Sequence, residues 1–258
     1  MIYYTYGNSY RNLAGRWQQD VARFIKESDS VFTPSTTLVQ NNEMGQWLSQ
    51  YFAGAAPEGV ASGMDFIFPA NFMWRLYRRL HPGLPDPLPS TKAVLQWKLF
   101  NILSDARTRT QFTEAANYLD YDKENETERE KELRTWQLAV QIAGVFDQYQ
   151  LYRPRLIRDW QNGRNDPGPE WQARLWRECT AGDSHPNRVE LQDEVMDLLL
   201  KEPEQLNLPP KLFVFGISVM PPVFIQTLVR MGRTIDVHFY GYHASAAFER
   251  FDPGDTPE

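Results

Sequence analysis

The chain has 258 residues, 42% hydrophobic and 23% charged, which suits one large or two small domains with a sizeable core. Lys and Arg number 27 against 33 Asp and Glu, a net charge of −6, which excludes a general cationic coat for duplex DNA or acidic membrane but leaves room for a local basic groove. A single cysteine, Cys179, excludes an intrachain disulfide, a Cys-x-x-Cys zinc site and a cysteine-ligated cluster within the chain, and no apolar run reaches the roughly 20 residues of a membrane span.

The first element is a β-rich run, Ile2 to Tyr6, closed by the turn signal Gly7-Asn8. Residues 12–27 predict a helix with Leu13, Trp17, Val21 and Phe24 on one stripe. Thr36 to Val39 predicts a second strand, followed by a helix presenting Met44, Trp47, Leu48 and Tyr51. Asp65 to Phe68, stopped by Pro69, reads as strand or extended loop, and Phe72 to Leu80 as a helix with Arg75, Arg78 and Arg79. His81 to Pro89 holds four prolines and a glycine, a linker, and Ser90 is the expected N-cap of the next helix.

From Thr91 to about Lys201 the periodicity is helical. Leu95, Leu99 and Ile102 mark one helix. Asp120 to Arg134 is charge-dense and predicts a solvated loop or exposed helix start. Leu138, Ile142, Val145, Tyr149 and Tyr152 mark a long helix ending at Arg153-Pro154. A loop with Gly163, Pro167, Gly168 and Pro169 precedes helices at Trp171–Cys179 and Val189–Leu200. The chain then returns to strand at Leu212–Phe215, helix from Pro221-Pro222 to Met231, and strand at Ile235–Tyr240, a compact βαβ unit. The tail, Phe251 to Glu258, is polar. The expected fold is therefore α/β: a parallel sheet from residues 1–90 and 205–258, interrupted by a mostly helical insertion, 91–204.

That outline is shared by nucleotide-driven helicase and ATPase domains, whose phosphate loop follows an early strand. Here the corresponding residues are Gln40-Asn41-Asn42-Glu43-Met44-Gly45-Gln46, with no glycine-rich cradle and no lysine between Glu27 and Thr91. Phosphate binding needs backbone amides and a cation at that place, so ATP hydrolysis by this chain is not expected. The strand at Leu212 ends in Gly216 rather than in a magnesium-holding acid. Ser218 is not in a G-x-S-x-G elbow, and Asp65, Asp120, Asp122 and Asp147 are not paired at a catalytic spacing. His81, His185, His238 and His243 are scattered. His238 reads as a hydrogen-bonded core histidine and Asp236 as an outward strand residue. No catalytic residue, metal or cofactor is expected.

What remains is a binding surface. Gln40, Asn42 and Gln46 follow an early strand, the edge where ligands bind in open α/β sheets, and amides offer both donors and acceptors to base edges. Helix capping by Asn41 or Asn42 is the competing reading. Trp74 is either a core residue or a stacking platform with Arg75 nearby for phosphate. Arg153 either contacts a strand or complements the end of its helix.

At these residues the sequence resembles the RecC family, the gamma subunits of exodeoxyribonuclease V, the RecBCD helicase–nuclease. The resemblance is carried by Leu38-Val39-Gln40, Met44-Gly45-Gln46-Trp47-Leu48, Asp65-Phe66, Pro69-Ala70-Asn71-Phe72-Met73-Trp74 and Trp97-Lys98-Leu99. It continues through Phe146-Asp147-Gln148-Tyr149, Tyr152-Arg153-Pro154, Trp171-Gln172-Ala173, Leu175-Trp176 and Gly216-Ile217-Ser218 with Pro221-Pro222-Val223. These run in order from Met1 to about His243. Family members are several times longer, so the chain resembles an N-terminal fragment. The resemblance implies a helicase-like, P-loop-type fold without ATPase motifs. It implies a non-catalytic subunit that, with RecB-like and RecD-like partners in the cytoplasm, lines a channel for the 3′-ending single strand and scans it for Chi during double-strand break repair. By position it implies DNA-lining roles for Gln40, Gln46, Trp74, Asp147, Arg153 and Arg188. Asn42 and Phe68 occupy lining positions but differ in residue type, and Gly144 stands where well-known members carry an acidic side chain. Two rival readings are a divergent helicase or nuclease acting alone and the dead-helicase subunit of an AddAB-type nuclease. The Gly216-Ile217-Ser218 and Pro221-Pro222 block favours the RecC family over the latter.

Overall fold

The computed structural model describes residues 1–28, 30, 32–56, 59–120, 127–164 and 169–244. Asp122, Pro167, Gly168, part of the charge-dense stretch after Asp120 and the tail from Phe251 to Glu258 lie outside them. Two compact units divide the chain: Met1–Leu80 with Val195–Glu258, and His81–Glu194.

The first unit is α/β. In chain order it holds β1 (Ile2–Gly7), α1 (Tyr10–Glu27), β2 (Ser35–Leu38), α2 (Asn42–Ala55), β3 (Met64–Ile67) and α3 (Pro69–Leu80). The second unit then supplies α4 (Lys92–Ser104), α5 (Ala106–Arg109), α6 (Thr113–Asp120), α7 (Glu128–Tyr152), α8 (Pro154–Gln161) and α9 (Glu170–Thr180). The chain leaves it within α10 (Arg188–Lys201), and a 3₁₀ turn (Pro203–Leu206), β4 (Lys211–Phe215), α11 (Pro222–Met231) and β5 (Asp236–Tyr242) complete the first unit.

The five strands among the described residues are all parallel, in the order β1-β5-β4-β2-β3. Leu38 of β2 lies between Ile67 of β3 and Val214 of β4, and Phe215 pairs with Tyr240 of β5. The chain leaves β2 toward β3 on one side and β4 toward β5 on the other. The topological switch point is therefore the β2–β4 junction, where open α/β sheets form a crevice at the strands' carboxyl ends. β2 and β4 are buried almost throughout, as central parallel strands must be.

The α1 stripe is as the periodicity predicts: Leu13, Trp17, Val21 and Phe24 are buried against Leu48, Phe52, Phe213, Phe215 and Tyr240. Trp17 packs edge-on to Phe52 and Phe215, and its indole N–H donates to Thr37 Oγ1 at 3.2 Å, which removes the cost of burying that donor. Tyr240 donates to Asp20 Oδ2 at 2.7 Å, and burial beside that carboxylate pushes its phenol far up. His238 is not the hydrogen-bonded core histidine expected. Its ring stacks on Tyr3 at 4.5 Å, and its buried Nε2 has no hydrogen-bond partner among the described residues. Burial, and next Lys211, lower its pKa.

In the second unit, α4 and α7 pack on each other. A Thr127–Glu130 capping box opens α7: Thr127 Oγ1 accepts from the Glu130 amide at 3.3 Å and Glu130 Oε2 from the Thr127 amide at 2.8 Å. The buried face of α7 is Thr135, Ala139, Ile142, Ala143, Phe146 and Gln150. Of the expected stripe, Ile142 is buried and Leu138 and Tyr149 pack against the core, while Val145 and Tyr152 are exposed. Ala139 and Ala143, fully buried on the same helix, are small residues of the kind that a close helix contact favours. Ser90 is not the α4 cap. Thr91 occupies that position without a side-chain cap bond, its hydroxyl donating to Leu88 O at 2.7 Å. Ser90 is buried, and its carbonyl accepts from Gln150 Nε2 at 2.8 Å. Phe146 lies edge-on to Trp160 and Trp176, an aromatic centre for this core. Cys179 is buried in the same cluster, and desolvation pushes its thiol up to about 12.

Candidate nucleic-acid interface

The carboxyl end of β2 delivers Gln40 to solvent. Asn41 then caps α2: in extended conformation, its Oδ1 accepts from the Met44 amide at 2.8 Å. This decides between the two asparagines. Asn41 satisfies the helix terminus, while Asn42 is exposed as the first helical residue. Gln46, four residues on and also exposed, shares Asn42's helix face. Between them Gly45 lets α2 settle on β3, where an added Cβ would come within 3.1 Å of Phe66 Cβ. Gln40, Asn42 and Gln46 thus form an amide ledge beside the switch point, with Glu43 exposed in the same first turn.

Phe68 directly follows β3, half-buried against the first unit's core, and its carbonyl receives the Phe72 amide at 2.9 Å to start α3. Trp74 is half-buried on α3 with its ring edge-on to Tyr77 at 5.3 Å. It is neither a sealed core residue nor a free platform. α3 is anchored by Arg75, whose guanidinium grips Asp65 of β3 and whose pKa is raised by that pairing. Arg75 is thus committed to a carboxylate rather than held ready for phosphate as the sequence suggested. Arg79 reaches the Leu206 carbonyl at 3.1 Å.

Three predicted residues lie in the second unit. Asn187 caps α10, its Oδ1 accepting from Val189 and Glu190 amides at 2.9 and 3.2 Å, which fixes Arg188 at the first turn. Arg188 Nη1 lies 3.3 Å from Asp147 Oδ1 of α7, so two predicted lining residues neutralise one another. Arg153 terminates α7 and precedes Pro154 of α8. It is exposed, with its guanidinium carbon 5.4 Å from the Tyr149 ring centroid. A cation held over an aromatic face can still meet a phosphate at its outer edge.

The structure thus gathers Gln40, Asn42 and Gln46 on one ledge, with Phe68 and Trp74 on the β3–α3 segment of the same unit. Asp147, Arg153 and Arg188 belong to the second unit. The sequence reading missed Tyr10 and Tyr242, whose rings stack 4.7 Å apart and 6° from parallel at the carboxyl end of β1 and β5. Their pairing joins positions more than two hundred residues apart, so no local pattern announces it. Among the described residues, no His, Cys, Asp and Glu side chains gather as a metal site, and no helix is long and apolar enough to cross a membrane.

The family model described as RecC, N-terminal domain, matches residues 2–250. The chain is similar to the RecBCD enzyme subunit RecC of Escherichia coli (strain K12), 31% identical over 220 residues, covering 81% of this chain and 19% of that protein. It is 25% identical over 236 residues to the protein of that name from Haemophilus influenzae, covering 81% and 20%. With the one from Mycobacterium tuberculosis (strain H37Rv) it shares 27% over 228 residues, covering 83% and 20%. The chain therefore spans about a fifth of the length of these relatives, and with its parallel sheet and helical second unit it belongs to the RecC N-terminal domain family.

Proposed function

We propose that this chain is part of a non-catalytic DNA-recognition and scaffold subunit of a RecBCD-type exodeoxyribonuclease V, working with RecB-like and RecD-like subunits in the cytoplasm on double-strand breaks. In this reading residues 1–90 and 205–258 are an inactive, helicase-like 1A domain and 91–204 a 1B-like insertion. The observation that carries it is the amide ledge. At the switch point, where a helicase of this architecture would hold phosphate, exposed Gln40, Asn42 and Gln46 stand instead, with Glu43 and without a lysine. Such a site repels a nucleoside triphosphate yet suits the edges of unpaired bases. Each direct base contact discriminates by roughly 1–3 kcal/mol, the modest grip a moving strand requires. Trp74 and Arg153 add a half-exposed ring and an outward cation. In this role the chain scans the 3′-ending strand for a Chi-type signal.

The test is to assemble the full-length subunit with its candidate partners and follow ATP-dependent unwinding and signal response. Trp74→Ala and Arg153→Ala are expected to alter signal response while the complex still assembles. Normal signal response in both variants, or partners fully active without the subunit, would refute the reading.

A further inference from the structure

The amide ledge is one end of a longer strip. Gly216, the first residue after β4, has φ +65°. A Cβ added there would lie 3.3 Å from the Tyr10 ring and 3.6 Å from Met44 Cε. Gly216 thus sits between Tyr10, at the start of α1, and Met44, in the first turn of α2. Tyr10 in turn stacks on Tyr242 at the end of β5. Along the carboxyl edge Tyr242, Tyr10 and Met44 therefore follow one another, the last two over the buried Gly216, and Met44 shares the start of α2 with the exposed Gln46. From β5 to β2 the strip crosses two strand spacings, about 10 Å.

Both rings of the tyrosine pair remain accessible. Tyr10 is 38% and Tyr242 45% exposed. The nearly parallel rings offer a flat face of the kind that receives another flat ring.

We propose that Tyr10 and Tyr242 are a base-stacking platform that holds a nucleobase of a single strand next to the one read by the amide ledge. The proposal rests on the single-strand reading above and extends it to residues that reading does not include. The occupant is a strand rather than a free nucleotide, because the same edge lacks a phosphate cradle and carries Glu43. A polymer distributes its phosphates elsewhere and needs only bases at this place. Stacking of this kind tolerates any base, so the platform would contribute grip and register, while the amides supply discrimination.

The experiment uses the full-length protein in its purified assembly and a short oligothymidylate carrying one 5-iododeoxyuridine. Irradiation is expected to cross-link the strand to Tyr10 or Tyr242, mapped by mass spectrometry. Tyr242→Ala should weaken oligothymidylate binding about fivefold or more, the loss of one stacking contact, while Tyr242→Phe stays within twofold of wild type. Excess thymidine monophosphate should leave the strand in place. Tyr242 is the principal variant because Tyr10 also packs near Phe215. An assembly that binds the strand and responds to Trp74→Ala, yet shows no tyrosine cross-link and unchanged affinity in Tyr242→Ala, would overturn the platform and leave the broader reading intact. Displacement by the mononucleotide would overturn it in favour of a nucleotide pocket. An assembly that binds no single strand would overturn both.

Discussion

The Asp147–Arg188 pair makes a quantitative claim about two residues of the candidate interface. Its 3.3 Å separation gives a gross attraction of about 5 kcal/mol at an effective dielectric near 20. Desolvation opposes most of that. The side chains are 27% and 15% exposed, intermediate between surface pairs, worth about 0–1 kcal/mol, and fully buried ones, where breaking the pair costs about 3–5 kcal/mol. A coupling of about 1–2 kcal/mol follows. Asp147→Asn and Arg188→Met each remove one charge of the pair and should each cost about 1–2 kcal/mol. The assay is urea denaturation of the purified chain by tryptophan fluorescence, across a double-mutant cycle. The double variant should cost less than the sum of the singles by the coupling energy. A coupling below about 0.3 kcal/mol would refute the claim that these residues hold each other in place.

Three further outcomes are expected. Gly144→Ala should stabilise the protein by about 0.5–1 kcal/mol in the same denaturation assay, because a helical glycine is replaced where the nearest atom to a new Cβ is Lys92 Cε at 3.8 Å, an ordinary contact. His238 has a folded pKa below its unfolded value near 6.5, so the unfolded chain takes up the proton first, and this residue's contribution is lost as pH falls below about 6.5. Melting curves from pH 7.5 to 5 should show His238→Phe with a shallower acid decline than wild type. Cys179, its thiol raised to about 12 by burial, should resist iodoacetamide at pH 8 in the native protein and react within minutes in denaturant.

Much of the α/β unit was legible because local pattern and tertiary packing agree there. The α1 stripe fills the core it predicts, and Pro221-Pro222 opens α11 as its fixed backbone requires. The missing phosphate loop was legible too, since it is a statement about residue types in one short segment. Strand order was not, because β1 pairs with β5 and no local signal encodes a distant partner. On α7 the stripe held at Leu138, Ile142 and Tyr149 and failed at Val145 and Tyr152, while the buried Ala139 and Ala143 escaped it because small residues weigh little in a hydrophobic pattern. Within the candidate site, the exposure of Gln40, Asn42 and Gln46 follows from their position after β2. The Asp65 partner of Arg75, the Arg188 partner of Asp147 and the Tyr10–Tyr242 stack depend on folding and carry no sequence periodicity.

The register of the sheet also has a consequence for biosynthesis. Ile2 pairs with Val237, and every other residue of the edge strand β1 finds its partner at the same remove. At typical synthesis rates the ribosome needs about 12 to 50 s to make the intervening 235 residues. Throughout that interval β1, with Tyr3, Tyr4 and Tyr6, has no sheet neighbour, while the helical unit encoded in between can form from nearer contacts. The nascent chain is thus born with its first strand waiting, and that strand is where a chaperone or a mispaired neighbour would find it.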